Sequence, residues 1–249
     1  MTMKPANLKE ETSTQFNTNP DLTFCELDNM DCPFCGNRGY IVHYHDDGTK
    51  SAGYCTCMKR RRSNRSLKKA GLDGLASRYT FAGYKTETQQ HERILDKAKE
   101  FTARDEGFFI ITGCPGSGKT HICTAICTEL CGKGSELKYF LWRKHAAEIK
   151  SLITDAAAYK SALEKCRDVD VLYIDDFFKG TVSAADIDLA FSIINDRYNS
   201  TGKHTIISTE KSVSELLAID EAIGSRIVER AKGFILQAPK KNYRLEGAA

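Results

Sequence analysis

The chain has 249 residues, 41% of them apolar and 28% charged, with a formal net charge of +3 and ten cysteines. That length suits one large domain or a compact domain with a small companion, and the composition is that of a globular chain rather than a disordered one. No apolar run approaches the length of a membrane span and MTMKPANLKEETS carries no apolar signal core, so the expected location is a reducing cytoplasm with no membrane contact, where cysteines serve as metal ligands or small buried residues.

Residues 1–31 hold six acids (Glu10, Glu11, Asp21, Glu26, Asp28, Asp31) against two lysines and form an acidic N-terminal arm. A cysteine-rich module follows over 32–58. Cys32-Pro-Phe-Cys35 is separated by 19 residues from Cys55-Thr-Cys57. Between them YIVHYH alternates towards a turn, Asp46-Asp47-Gly48-Thr49, and KSAGY leads back. A hairpin would bring the two cysteine pairs to one end. Four thiolates in tetrahedral geometry suit Zn²⁺ and leave no open position for hydrolytic chemistry. Cys25, His43 and His45 are substitute ligands. So short a segment has little core of its own, and a metal would supply its folding energy.

Residues 59–69 carry seven bases (Lys59, Arg60, Arg61, Arg62, Arg65, Lys68, Lys69) and no acid. With AGLDGLASRYTFAGYKT they make a basic linker over 59–87. The bases could form a solvated helix face, or meet a nucleic-acid backbone by releasing its counterions. They include no aromatic, so base stacking within 59–69 is not expected.

From about residue 88 the pattern is that of an α/β domain reaching 249. HERILDKAKEFTARD reads as a helix, GFFIITG (107–113) as a buried strand, and THICTAICTEL as a helix. LKYFLW (137–142) is a strand, and RKHAAEIKSLITDAAAYKSALEKC one or two helices. VDVLYID (169–175) is a strand, AADIDLAFSIINDRYN a helix and HTIISTE (204–210) a strand. SVSELLAIDEAIGSRIVERAKG is helical with a break expected near Gly224, and GFILQA (233–238) is a last strand. Strands alternating with such helices predict a parallel sheet covered on both faces. Cys123, Cys127 and Cys131 recur every fourth residue and are expected as core of the helix that packs on the sheet.

Gly113-Cys114-Pro115-Gly116-Ser117-Gly118-Lys119-Thr120 is a phosphate loop, with an apolar strand running in and a helix running out. Its glycines turn successive N–H groups towards one anion, and the helix N-terminus adds its dipole. Lys119 would reach the β- and γ-phosphates of ATP and Thr120 would offer its hydroxyl to Mg²⁺. At the end of VDVLYIDD, Asp175 would hold Mg²⁺ through its water shell and Asp176 would orient or deprotonate the attacking water.

GCPGSGKTH, VDVLYIDDFF, TIISTEKSVSELL, IDEAIGSRIVERA and NYRL, in this order, resemble the ATPase core of DnaC/DnaI-type replicative helicase loaders, especially phage-encoded ones; IstB-type transposition ATPases share that core. The resemblance implies an AAA+ fold preceded by a small zinc-ribbon-like module. It extends the nucleotide contacts to His121. HTIISTE matches a strand whose polar tip watches the γ-phosphate. Many relatives have Asn where this chain has Glu210, leaving Ser208 or Thr209 for that contact. Arg226 matches an arginine finger acting on a neighbouring subunit's nucleotide, and Arg244 a second sensor arginine. The partners implied are a replicative DNA helicase, single-stranded DNA, and another copy or a related ATPase. Two alternatives stand beside a loader: a transposition ATPase that recruits a transposase, and a zinc adaptor that ATP switches without turnover.

Overall fold

The computed structural model describes residues 32–45 and 47–243, so the acidic arm, Cys25 and Arg244 lie outside the described residues. The chain divides into two compact units, the boundary falling between Arg61 and Arg62.

In the first unit β1 (Tyr40–Tyr44) and β2 (Lys50–Tyr54) form the expected antiparallel hairpin, with Tyr40 opposite Tyr54 and Tyr44 opposite Lys50. Its loop closes where His45 N–H donates to the Thr49 carbonyl at 3.0 Å. The Asp47 carboxylate accepts from both Thr49 N–H and Oγ1, which holds its pKa below the usual carboxylate range. Cys32, Cys35 and Cys55 are buried, with Ile41 and Cys57 packed against them.

The stretch 59–87, expected as a basic linker, is largely helical: α1 covers Cys57–Lys69 and α2 covers Asp73–Ala76. Leu67, Leu72, Ala76 and Tyr84 enter the core of the second unit. Of these, Leu67 lies within the basic run, and Leu72, Ala76 and Tyr84 lie in the stretch that follows it.

The second unit is built on five parallel strands in the order β4-β5-β6-β3-β7. These are β3 (Gly107–Thr112), β4 (Leu137–Leu141), β5 (Val171–Phe177), β6 (His204–Thr209) and β7 (Ile235–Gln237). Strand alternation splits the core in two. Phe109 and Ile111 face α3 (Gln89–Thr102) and α4 (Lys119–Gly132), where Cys123, Cys127 and Cys131 are fully buried as expected. Phe108 and Ile110 belong to the opposite cluster, with residues of α5 (Trp142–Ser151), α6 (Ala156–Asp168) and α7 (Ala184–Tyr198). Asp155 caps α6 through Ala158 N–H, which separates α5 from α6.

The expected break near Gly224 lies instead at Asp220, between α8 (Val213–Ile219) and α9 (Glu221–Arg230). Asp220 is extended and its carboxylate accepts from Ile223 N–H at 2.8 Å, a helix cap. Gly224 is inside α9 because the helices touch there: a Cβ would lie 2.8–3.0 Å from Leu217. Arg226 therefore sits within α9 and does not begin a helix. Among the described residues no helix is long and apolar enough to cross a membrane.

Candidate functional site

Parallel strands deliver their C-terminal ends to one edge of the sheet, and there the phosphate loop, the acid pair and the tip of β6 meet. The loop runs from β3 into α4, and Gly113, Gly116 and Gly118 have φ of 148°, 75° and 87°. At Gly116 glycine is also required by space, since a Cβ would lie 1.9 Å from the Asn242 side chain. The segment after β7 crosses the loop here: Ala238 N–H donates to the Thr112 carbonyl at 2.7 Å and Tyr243 N–H to that of Gly116 at 3.0 Å. Lys119 Nζ donates to the carbonyls of Gly113 (2.7 Å) and Cys114 (2.8 Å). Burial lowers the pKa of Lys119, against the opposing fields of Glu210 and Asp176.

Asp175 is buried at the end of β5, where Tyr139 donates to Oδ2 at 2.9 Å and Ser208 Oγ donates to Oδ1. Each carboxylate oxygen keeps a further lone pair, so Asp175 retains the hard oxygen donors that suit a hydrated Mg²⁺; Thr120, the other expected ligand, lines the cavity described below, and Asp175 does not. The β5–β6 pairing is irregular between Ile174 and Phe177, and Asp176 there has φ 55°. That bulge turns the Asp176 carboxylate away from Asp175 and into the cavity. Phe178 also has φ 55°. Two left-handed residues without glycine each cost about 1–2 kcal/mol, and the stacked rings of Phe177 and Phe178 packed on Trp142 hold the turn.

A cavity of about 290 Å³ is lined by Pro115, Gly116, Gly118, Lys119, Thr120, His121 and Asp176, which the sequence had grouped, and by Tyr79, Lys179, Glu210 and Tyr243. Lys179 Nζ lies 2.9 Å from Asp176 Oδ2 and 3.1 Å from Glu210 Oε1. These two carboxylates raise its pKa, the Asp176 contact most. Ser208 and Thr209 take no place in the lining. Both are fully buried, Ser208 between the acids and Thr209 Oγ1 on the Phe177 carbonyl, and Glu210 is the tip residue that faces the cavity.

A second cavity, of about 450 Å³, shares Gly118, His121 and Tyr243 and adds Gly83, Tyr84, Lys85, His91 and Ser117. His121 stacks on Tyr79, and its Nε2 donates to the Thr80 carbonyl at 2.8 Å. Tyr243 OH meets His91 Nε2 at 2.9 Å, and burial lowers the His91 pKa. His121 and the Tyr243 of NYRL belong to motifs read in the sequence, and Tyr79 and Tyr84 come from YTFAGY.

Arg226 lines neither cavity. Its Nη1 donates to the Ala222 carbonyl at 2.8 Å and its guanidinium lies over Phe191 and Tyr198 of α7, 5.1 and 5.7 Å from the ring centres.

In the first unit the sulfurs of Cys32, Cys35, Cys55 and Cys57 all lie within 4.8 Å of one another. Cys32 and Cys55 are 3.7 Å apart and Cys35 and Cys57 3.5 Å. Tetrahedral zinc with bonds of about 2.3 Å needs sulfurs about 3.8 Å apart, so the donor set fits that ion. Burial and the surrounding thiols push Cys57 up to about 12, whereas hydrogen bonds from the Cys35 and Phe34 backbone outweigh burial and bring Cys32 down to about 7. Arg61, expected in a solvated or phosphate-binding run, is instead buried, and its Nη2 donates to Asn37 Oδ1 at 3.0 Å. The same Asn37 oxygen accepts from Cys32 N–H at 2.7 Å, so this base braces the cysteine turn.

Comparison with known proteins agrees with this geometry. A family model described as IstB-like ATP binding protein matches residues 55–246. Phage-like element PBSX protein XkdC of Bacillus subtilis (strain 168) is 30% identical over 237 residues, covering 87% of each chain. Replicative helicase loader DnaC of Escherichia coli (strain K12) is 26% identical over 197 residues, covering 74% of this chain and 77% of that protein. A crystal structure of the DnaC helicase loader superposes with a TM-score of 0.60 at 23% identity, over 66% of this chain and 99% of that one, an agreement of fold.

Proposed function

Because the chain belongs to the family of IstB-like ATP binding proteins and has an AAA+ fold like that of DnaC, we propose that it hydrolyses ATP to deliver a replicative DNA helicase to single-stranded DNA. The observation that carries this reading is the single cavity shared by Lys119, Thr120, Asp176 and the tip of β6, in a chain similar to a replicative helicase loader over 74% of its length. The loop from Gly113 through Cys114, Pro115, Gly116, Ser117 and Gly118 cradles the phosphates, with Lys119 on the β- and γ-phosphates. Asp175 and Thr120 hold Mg²⁺, which neutralises phosphate charge when bound. Asp176 orients the attacking water. The aromatic cavity of Tyr84, His91, His121 and Tyr243 takes the base, since stacked and edge-on rings suit a planar heterocycle. Arg226 acts on the nucleotide of a neighbouring copy or a related ATPase, and Arg244 supplies a further phosphate contact.

Cys32, Cys35, Cys55 and Cys57 hold a structural zinc that shapes a partner-binding module of 32–58. The acidic arm of 1–31 precedes it, the exposed bases of 59–69, at the head of the 59–87 linker, offer charge to DNA, and 88–249 complete the ATPase domain.

The test is to mix the protein with the replicative helicase of its host and a single-stranded DNA circle. ATP-dependent recovery of helicase on the circle is expected. The family description favours one second reading, a transposition ATPase. Recovery of a transposase from host extract, with no helicase bound, would replace the loader by it. Binding of ATP with no turnover, alone or with partner and DNA, would leave an ATP-switched adaptor.

A further inference from the structure

The tip of β6 presents a carboxylate, Glu210, to a cavity that also contains the phosphate loop. A bare carboxylate there would repel a triphosphate, because like charges in a partly desolvated cleft interact strongly. Lys179 removes that conflict. Its ammonium lies 3.1 Å from Glu210 Oε1 and 2.9 Å from Asp176 Oδ2, and it lines the same cavity as Lys119 and Thr120. Its Nζ donates to Asp176 Oδ2 and pairs with Glu210 Oε1 by charge, so the three N–H donors of the ammonium are not used up by the two carboxylates. The turn through Asp176 and Phe178 folds back so that Lys179 N–H donates to the Asp176 carbonyl at 3.1 Å, and this return carries the lysine to the site.

We infer that Lys179, held by Glu210, contacts the γ-phosphate and lets the site distinguish a nucleoside triphosphate from a diphosphate. This rests on the ATP reading of the same cavity. Before the γ-phosphate arrives, Lys179 neutralises Asp176 and Glu210 together. Once it arrives, the phosphate oxygens compete for the ammonium, and the Asp176 carboxylate is released towards water. The pair does with two opposite charges what a neutral polar side chain at the strand tip would do alone. The acid is tolerated because the lysine is there.

The test measures binding of a non-hydrolysable ATP analogue and of ADP, with Mg²⁺, to the full chain and to Lys179→Met, Glu210→Gln and the double variant. Lys179 is partly exposed, so folding should survive; thermal melting checks this, and Lys179→Gln serves if Lys179→Met misfolds. Lys179→Met should weaken the triphosphate analogue about 10- to 100-fold, the scale of a hydrogen bond to a charged group, and change ADP less than about 3-fold. The double variant should regain part of that loss, because Glu210 no longer repels the phosphate. Equal losses for both nucleotides, an unchanged preference, or no recovery in the double variant would overturn the inference while leaving the ATP site standing. A wild-type chain that binds neither nucleotide would remove the ATP reading itself, and the inference with it.

Discussion

The unit that ends at Arg61 buries sulfur, whereas the unit that begins at Arg62 buries carbon. Among the described residues of the first, the buried apolar group is Cys32, Cys35 and Cys55, backed by Ile41 and Cys57. In the second, Phe109, Ile126, Leu130 and Tyr173 on one face of the sheet and Phe108, Ile174, Phe177 and Ile194 on the other are fully or almost fully enclosed. A hairpin with every residue of β2 exposed has too little apolar burial to offset its chain entropy. The sheet does not have that problem. One chain thus uses two sources of stability, and each should fail without taking the other with it.

Metal removal gives the largest expected contrast. Structural zinc contributes about 10 kcal/mol or more to modules of this kind. Cys32→Ser/Cys35→Ser should abolish zinc binding, measured by metal analysis, and unfold the hairpin while ATP still binds. Undiminished zinc would reject the ligand set, and loss of ATP binding along with the metal would break the comparison between the units.

The opposite lesions belong to the core and should leave zinc content intact. Arg226→Ala should bind ATP normally and hydrolyse it about 1,000-fold more slowly, the lower end for an arginine finger. Mixing it with Lys119→Ala should restore some turnover, because one intact site then faces one intact finger. No restoration in a demonstrably mixed assembly would place Arg226 outside that role.

Phe109→Ala should cost the core about 3–5 kcal/mol in denaturant unfolding without releasing metal, because Phe109 is fully enclosed in the sheet. Asp176→Asn should cut turnover about 100-fold or more and spare binding, as water orientation is lost while Asp175 remains. Lys119→Ala should be the mildest in free energy, weakening ATP about 10- to 100-fold with melting unchanged. Matching losses of affinity in these last two variants would show that the acid pair is misassigned.

Some of this was legible residue by residue. The phosphate loop reads directly because its residues are consecutive, and one turn brings them to one anion. The four cysteines read from their spacing around a turn signal. The basic run was legible as charge but not as placement: Arg61 is buried against Asn37, and Leu67 and Leu72 are core. Gly224 looked like a helix break because glycine destabilises helices. Its reason is instead the close approach of Leu217, a contact between two helices.

By itself, the sequence determined the alternation of strands and helices, the buried cysteine stripe of α4, the loop that holds phosphate and the acids at the end of β5. These follow from local periodicity and from groups adjacent in the chain. Only the tertiary structure decided that Ser208 would be enclosed between Asp175 and Asp176 and that Glu210 would face the cavity. It also decided that Lys179 would reach both Asp176 in β5 and Glu210 just beyond β6. The physical reason is that a parallel sheet collects the ends of strands far apart in sequence, and a bulge of one residue then decides which side chain faces the cavity.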